Sequence, residues 1–231
     1  QHAVTPQNRG RFPGFDVLDQ AHMWDDVTAG AVLARLTLPN MLSFFTPHEV
    51  GIAQPMLDLI LDQDAEPRVP VLPLIDARLS TGETDGWHYD DLPGDGQAWR
   101  DTLGHLDQDA RQRHDAGYAE LTRPQQARLL QDVQDLSGDG KQWHGVSAKH
   151  VWSLWTRYAC AAFYSHPWAW NEIGFSGPAY PRGYLNPGLD KREKWEVADH
   201  DDLDPTPFAQ RVERARKADD DLHRAKGADD E

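Results

Sequence analysis

Cysteine, long apolar runs and basic residues are all scarce in this chain of 231 residues. A single cysteine, Cys160, excludes an internal disulfide and any cysteine-ligated zinc or iron–sulfur cluster built by this chain alone. No apolar run approaches the ~20 residues that a membrane-spanning helix needs. The 38 acidic and 23 basic residues give a formal charge of -15, which repels phosphate backbones. We therefore expect neither a nucleic-acid partner nor a direct membrane span.

The sequence also lacks the common catalytic and cofactor signatures. It has no glycine fingerprint between a strand and a helix, no phosphate-binding P-loop, no nucleophile elbow and no helical pair of zinc histidines. Residues 135–140 match the first half of a calcium loop, but Val146 stands where the bidentate Glu is required. A polar connection between two helices explains the same residues. We expect no catalytic residue, no metal ligand and no cofactor in this chain.

Cys160 has two interpretations that the sequence leaves open. Free cysteine behaves as a small hydrophobe and is commonly buried in a protein core. In an oxidising compartment, an unpaired cysteine instead suggests a disulfide to a partner chain.

Helix signals dominate what is present. Thr46, Pro47 and Glu49 form a capping-box pattern before a run with apolar residues at helical spacing. Thr122 and Gln125 repeat the pattern, and Ser147 precedes a helix that is apolar nearly all round. No hairpin turn is flanked by alternating apolar residues. The sequence predicts an all-α fold, an irregular domain of about five to six helices.

Smaller details of the organisation also follow from composition. Pro70 and Pro73 are expected to delay regular structure until a short helix that stops by Gly82, and a loop is expected over 82–96. We predict an N-terminal arm over 1–24, a helical domain over 25–186 and an acidic tail over 187–231. The tail is expected to be solvated, or partly helical on a partner.

Residues 162–184, "AFYSHPWAWNEIGFSGPAYPRGY", combine many aromatic residues with prolines and glycines. The pattern predicts a long loop without regular structure. Its rings would remove on the order of 1,000–1,700 Å² from water if all were covered. Two interpretations stay open, a rigid docking surface for another polypeptide or a loop folded back over its own helices.

The same segment carries a family resemblance. "FYSHPWAWNEIGFSGPAYPRGY", after a helix rich in Trp and Ala, looks like the signature of the gluconate 2-dehydrogenase subunit 3 family. "FFTPHEVGIAQPMLDLILDQD" upstream resembles the opening helix of that family, so the likeness covers roughly residues 40–185. The twin-arginine signal of many members is not visible. The resemblance implies a periplasmic or envelope location after removal of a signal, and a cytoplasmic complex is the alternative.

The resemblance implies a partner rather than a reaction. Family members are small, non-catalytic gamma subunits that stabilise a large dehydrogenase subunit of the glucose–methanol–choline oxidoreductase type. The large subunit carries FAD and oxidises a sugar or sugar acid, and a cytochrome subunit often takes the electrons. Alternatives are an independent metal-assisted hydrolase, an adaptor for another client, or a small subunit that also helps to close the substrate entrance of its partner.

The partner-binding residues implied for this chain lie in the aromatic segment. Trp168, Trp170, Phe175 and Tyr180 are expected to be the energetic anchors. Polar residues among the rings are expected to fix the register of the contact. The complete predicted set is Phe163, Tyr164, His166, Trp168, Trp170, Asn171, Glu172, Phe175, Tyr180, Arg182 and Tyr184, with Cys160 as the candidate for an intersubunit disulfide.

Overall fold

The computed structural model describes residues 12, 14–37, 42–188 and 191–198, and these residues are mostly helical. The α-helices are α1 (Asp26–Leu33), α2 (Pro47–Ile60), α3 (Val71–Ser80), α4 (Asp95–His114), α5 (Arg123–Gly138), α6 (Ala148–Tyr164) and α7 (Pro167–Ile173). Short 3₁₀ helices span Val17–Met23, Ala34–Leu36 and Tyr118–Glu120. Strands β1 (Gln142–Trp143) and β2 (Val146–Ser147) form an antiparallel hairpin. The all-α prediction is confirmed.

The predicted capping box at α2 is present. The Thr46 amide donates to Glu49 Oε2 at 2.7 Å, and the Glu49 amide donates to Thr46 Oγ1 at 3.3 Å. Each hydrogen bond satisfies a backbone donor that has no partner within the helix. Glu49 also accepts from Arg100 Nη1 at 2.8 Å, so the same carboxylate ties the start of α2 to α4.

Two local predictions were wrong. Helix α3 begins at Val71, so Pro73 lies inside its first turn instead of delaying the helix. Proline is tolerated there because its missing N–H has no helical acceptor in the first turn. The β1–β2 hairpin was not predicted. Its turn residues His144 and Gly145 have φ values of 48° and 85°, as a two-residue turn of this kind requires, but its strands are too short to leave a sequence pattern.

Helix α6 runs through the larger of two hydrophobic cores and packs against α5, α3, α2 and α4. The fully buried Trp155 donates from its indole to Thr102 Oγ1 at 3.0 Å. The hydroxyl of Tyr158 donates to Asp95 Oδ2 at 2.6 Å, and burial, followed by this hydrogen bond, raises the pKa of Tyr158. These buried polar contacts fix α6 against α4.

A second, smaller core lies outside this packing. It is formed by Phe15, Val17, Trp24, Val32 and Trp170, with further apolar groups along its edge. The N-terminal arm supplies most of these side chains and packs against α7 and the segment after it. The acidic tail was expected to be solvated, or partly helical on a partner, and its residues 199–231 lie outside the described residues.

A buried carboxylate organises the chain before α2. Asp76 on α3 is 2% exposed and accepts three backbone hydrogen bonds, from Ser43 at 2.7 Å, Phe44 at 3.0 Å and Phe45 at 2.9 Å. A carboxylate suits this position because both of its oxygens accept. An amide would turn an NH₂ group towards at least one backbone donor.

We expect Asp76→Asn to lower the free energy of unfolding by about 3 kcal/mol, because it leaves buried donors unsatisfied. The measurement is urea-induced unfolding followed by far-UV circular dichroism. Asp101→Asn, which alters an exposed carboxylate on α4, is the matched control and should change the midpoint little. Equal midpoints for the two variants would contradict this role of Asp76.

Candidate partner-binding surface

The aromatic segment is more regular than its composition indicates. Helix α6 continues to Tyr164, and residues 167–173 form α7, so the prediction of a loop over the whole stretch was wrong. Pro167 occupies the first position of α7, where proline is favoured. Gly174 ends α7 with a φ of 67°, the left-handed conformation common after a helix. The residues interpreted as helix breakers therefore mark the ends of a helix.

Part of the predicted set is buried within the chain itself. Phe163 and Trp170 are each 4% exposed, and the burial of these two rings corrects the expectation that they are displayed to a partner. His166, Asn171 and Glu172 are also buried. The structure places Trp168, partly buried, against the larger core. A contact of these residues with another chain stays a prediction.

The N-terminal arm covers the buried side of this segment. The Val17 amide donates to Asn171 Oδ1 at 2.8 Å, and the Trp24 indole donates to the Pro178 carbonyl at 3.1 Å. The ring of Trp24 lies so close to Gly177 that a Cβ there would be 2.4 Å from Trp24 Cζ2. The sequence predicts an arm over 1–24, but it does not indicate the surface on which the arm packs.

His166 begins α7 from a buried position. Its Nδ1 accepts from the Trp168 amide at 3.2 Å, which is the contact of an N-cap. Burial lowers the pKa of His166 to about 4, and the nearby Arg35 charge also lowers it, while a hydrogen bond with the Arg35 backbone opposes the shift. The imidazole is therefore neutral at neutral pH, and its Nδ1 lone pair is free to accept.

Exposed apolar side chains are concentrated in this segment, and we call this set the aromatic rim. The described residues expose nine large apolar side chains, and six of them lie between positions 164 and 185. The rim consists of Tyr164, Ile173, Phe175, Tyr180, Tyr184 and Leu185. Tyr164, Phe175, Tyr180 and Tyr184 were predicted site residues. Ile173 and Leu185 were not predicted, because neither is aromatic and their exposure depends on the tertiary fold.

Arg182 supports the rim from within the chain. One Nη donates to the Ser176 carbonyl at 2.7 Å, and the guanidinium lies 4.7 Å from the centroid of the Trp195 ring. Partial burial lowers the pKa of Arg182. Its described contacts hold the loop in place, and a contact of Arg182 with a partner chain stays a prediction.

Cys160 is exposed on α6, so the interpretation of this residue as a buried hydrophobe was wrong. Desolvation by neighbouring groups raises the pKa of its thiol. The disulfide to a partner stays a prediction.

The structure gives the calcium-like residues other roles. Asp135 lies within α5 and accepts from Gln131, and Asp139 pairs with Lys141 at 2.8 Å. Among the described residues, no three His, Cys, Asp or Glu side chains come together as a metal site would require. No helix in the described ranges is long and apolar enough to cross a membrane.

The neutral state of His166 predicts a pH-dependent stability. The folded-state pKa of about 4 is below the unfolded value of 6.5, so the contribution is present above pH 6.5 and is lost as the pH falls towards 4. The loss should be on the order of 3 kcal/mol. His166→Asn keeps an N-cap acceptor without this titration, so the difference in unfolding free energy between the wild type and this variant should shrink between pH 6.5 and 4.

Chemical denaturation at several pH values measures this difference. His22→Asn, which changes an exposed histidine of the arm, serves as the control. The assignment fails if His166→Asn and the wild type lose stability in parallel over the whole pH range.

Comparison with models of protein families places the chain in a known family. The sequence model of the family described as gluconate 2-dehydrogenase subunit 3 matches residues 47–177, from the first residue of α2 to the glycine that contacts Trp24. No curated protein and no solved structure shows a significant match. The matched part is more than half of the chain and includes both α2 and α7, the two segments whose sequences carry the resemblance. The chain therefore belongs to the gluconate 2-dehydrogenase subunit 3 family.

Proposed function

We propose that this chain is the small, non-catalytic gamma subunit of a dehydrogenase complex. In this proposal it binds and stabilises a large FAD-dependent subunit of the glucose–methanol–choline oxidoreductase type. The family supports the role of an accessory subunit, since it is a family of dehydrogenase subunits. The aromatic rim supports binding to another polypeptide.

The rim is the observation on which the proposal depends. Its four aromatic side chains are 42–66% exposed, and Ile173 and Leu185 are 48% and 73% exposed. Covering all six would remove on the order of 500 Å² of surface from water. A standard protein–protein contact buries about 800 Å² on each partner. The rim therefore supplies most of one side of such a contact, and less than the sequence estimate, because Phe163 and Trp170 are already covered.

The chemistry of the rim suits a specific contact. Three of its members are tyrosines, which combine a large apolar ring with a hydroxyl that donates and accepts hydrogen bonds. Tyrosine is enriched among the residues that dominate binding energy at interfaces. The apolar area provides affinity, and the hydroxyl groups restrict the orientation of the partner.

The proposal divides the chemistry between the subunits. FAD and the oxidation of a sugar or sugar acid belong to the large subunit, and a cytochrome subunit takes the electrons. This chain contributes binding surface and stability to the large subunit. Loss of the small subunit should then lower the thermal stability of the flavoprotein.

We expect Tyr180→Ala and Tyr184→Ala each to weaken binding to the large subunit by about tenfold or more, because each removes an exposed ring from the rim. The measurement is the dissociation constant for the purified large subunit, together with co-purification of flavin absorbance. Trp87→Ala is the matched control, since Trp87 is 48% exposed but lies outside the rim, against Arg157.

Three results would count against the proposal. Equal affinity of both rim variants and the wild type would remove the rim from the interface. Equal weakening by Trp87→Ala would show that the loss is not specific to the rim. Capture of a partner without flavin would favour the adaptor alternative.

A further inference from the structure

We propose that the described part of the N-terminal arm, residues 12 and 14–24, is a clamp that holds the aromatic rim in its binding conformation. Affinity for the large subunit then depends on the arm, even where the arm itself does not touch that subunit. This inference rests on the proposed function of the rim. It assigns a role to a part of the chain that lies before the matched family segment of residues 47–177.

The arm contacts the backbone on which the rim is carried. Rings of Phe12 and Trp24 lie over Gly174 and Gly177, where an added Cβ would be 2.6 Å and 2.4 Å from the nearest ring atom. Both glycines have positive φ values, 67° and 77°. Gly174 stands between the rim residues Ile173 and Phe175. The two rings therefore fix the path of the chain directly beside exposed rim side chains.

Directional contacts supplement this packing. The Trp24 indole donates to the Pro178 carbonyl at 3.1 Å, two residues before Tyr180. The Val17 amide donates to Asn171 Oδ1 at 2.8 Å, at the middle of α7. Arg182 reaches Gln20 Oε1 at 3.5 Å and Met23 Sδ at 3.7 Å. The arm thus contacts α7 and also the segment that follows it, as far as Arg182.

Outside the arm, local contacts such as those of Arg182 with the Ser176 carbonyl and the Trp195 ring order this part of the chain, but no regular element does. Residues 174–188 contain no helix or strand, so they lack the regular hydrogen bonds that would hold them. A segment that must be ordered when it binds loses conformational entropy at that moment, and ordering it beforehand improves affinity. The arm provides this order in advance.

The clamp is separable from the main fold. Phe15, Val17 and Trp24 belong to the smaller core, whereas the larger core is built from residues between Phe45 and Ala169. Loss of the arm contacts should therefore leave the larger core folded.

Gly177→Ala and Gly183→Ala form a matched pair of variants for this inference. Both place a side chain at a positive φ, 77° and 65°, and so add similar backbone strain. A Cβ at Gly177 collides with Trp24, but a Cβ at Gly183 meets nothing within 4 Å. Only Gly177→Ala should displace the arm.

The experiment measures the dissociation constant for the purified FAD-containing large subunit and hydrogen exchange of arm peptides in the free small subunit. We expect Gly177→Ala to weaken binding by about tenfold or more and to speed exchange in residues 15–24. Gly183→Ala should bind like the wild type and keep the arm protected. The inference would be overturned if Gly177→Ala kept near-wild-type affinity although the amides of its arm exchanged rapidly.

A second variant covers the case in which Gly177→Ala does not fold. Trp24→Ala removes the ring without introducing a collision, and it should give the same loss of affinity. Its far-UV circular dichroism spectrum, which is dominated by the helices of the larger core, should be unchanged. Wild-type affinity of Trp24→Ala with rapid arm exchange would also overturn the inference. Failure of the wild type to bind the large subunit would instead refute the proposed function, and the inference with it.

Discussion

The close contact between the ring of Trp24 and the backbone of Gly177 is the constraint on which the arrangement of the aromatic segment depends. Only a residue without a Cβ admits a ring at this distance, and the positive φ of Gly177 turns the chain so that its backbone faces the ring. The same Trp24 side chain belongs with Trp170 to the smaller core. Within this segment Trp170 lies in the smaller core, whereas Tyr164, Phe175, Tyr180 and Tyr184 remain exposed.

Much of the helical fold could be predicted because its signals are local. The box at Thr46 and Glu49 and the apolar spacing that follows it lie within a few residues of one another, and the structure forms them as expected. Helix α7 was missed because Pro167 and Gly174 stand only seven positions apart and both disfavour a helix interior. Both are favourable at helix ends, and a helix this short leaves no repeated apolar pattern between them.

The division of the candidate site could not be predicted, because it depends on contacts between distant parts of the chain. The hydrogen bond between Val17 and Asn171 joins residues 154 positions apart. No periodicity in the segment itself distinguishes Trp170, which faces inward, from Phe175, whose ring lies edge-on against it and is 42% exposed. The family resemblance identified the correct segment, but the covering arm precedes the part of the chain that the family model matches.

The same separation along the chain means that the arm is synthesised long before the residues on which it packs. Ribosomes add about 5–20 residues per second, so on the order of ten seconds or more pass between synthesis of Trp24 and of Pro178, its hydrogen-bond acceptor. Helices α2 to α5 are complete before the surface for the arm exists. The apolar residues of the arm are therefore made well before the residues on which they pack, and the smaller core cannot be complete until Trp170 has been made.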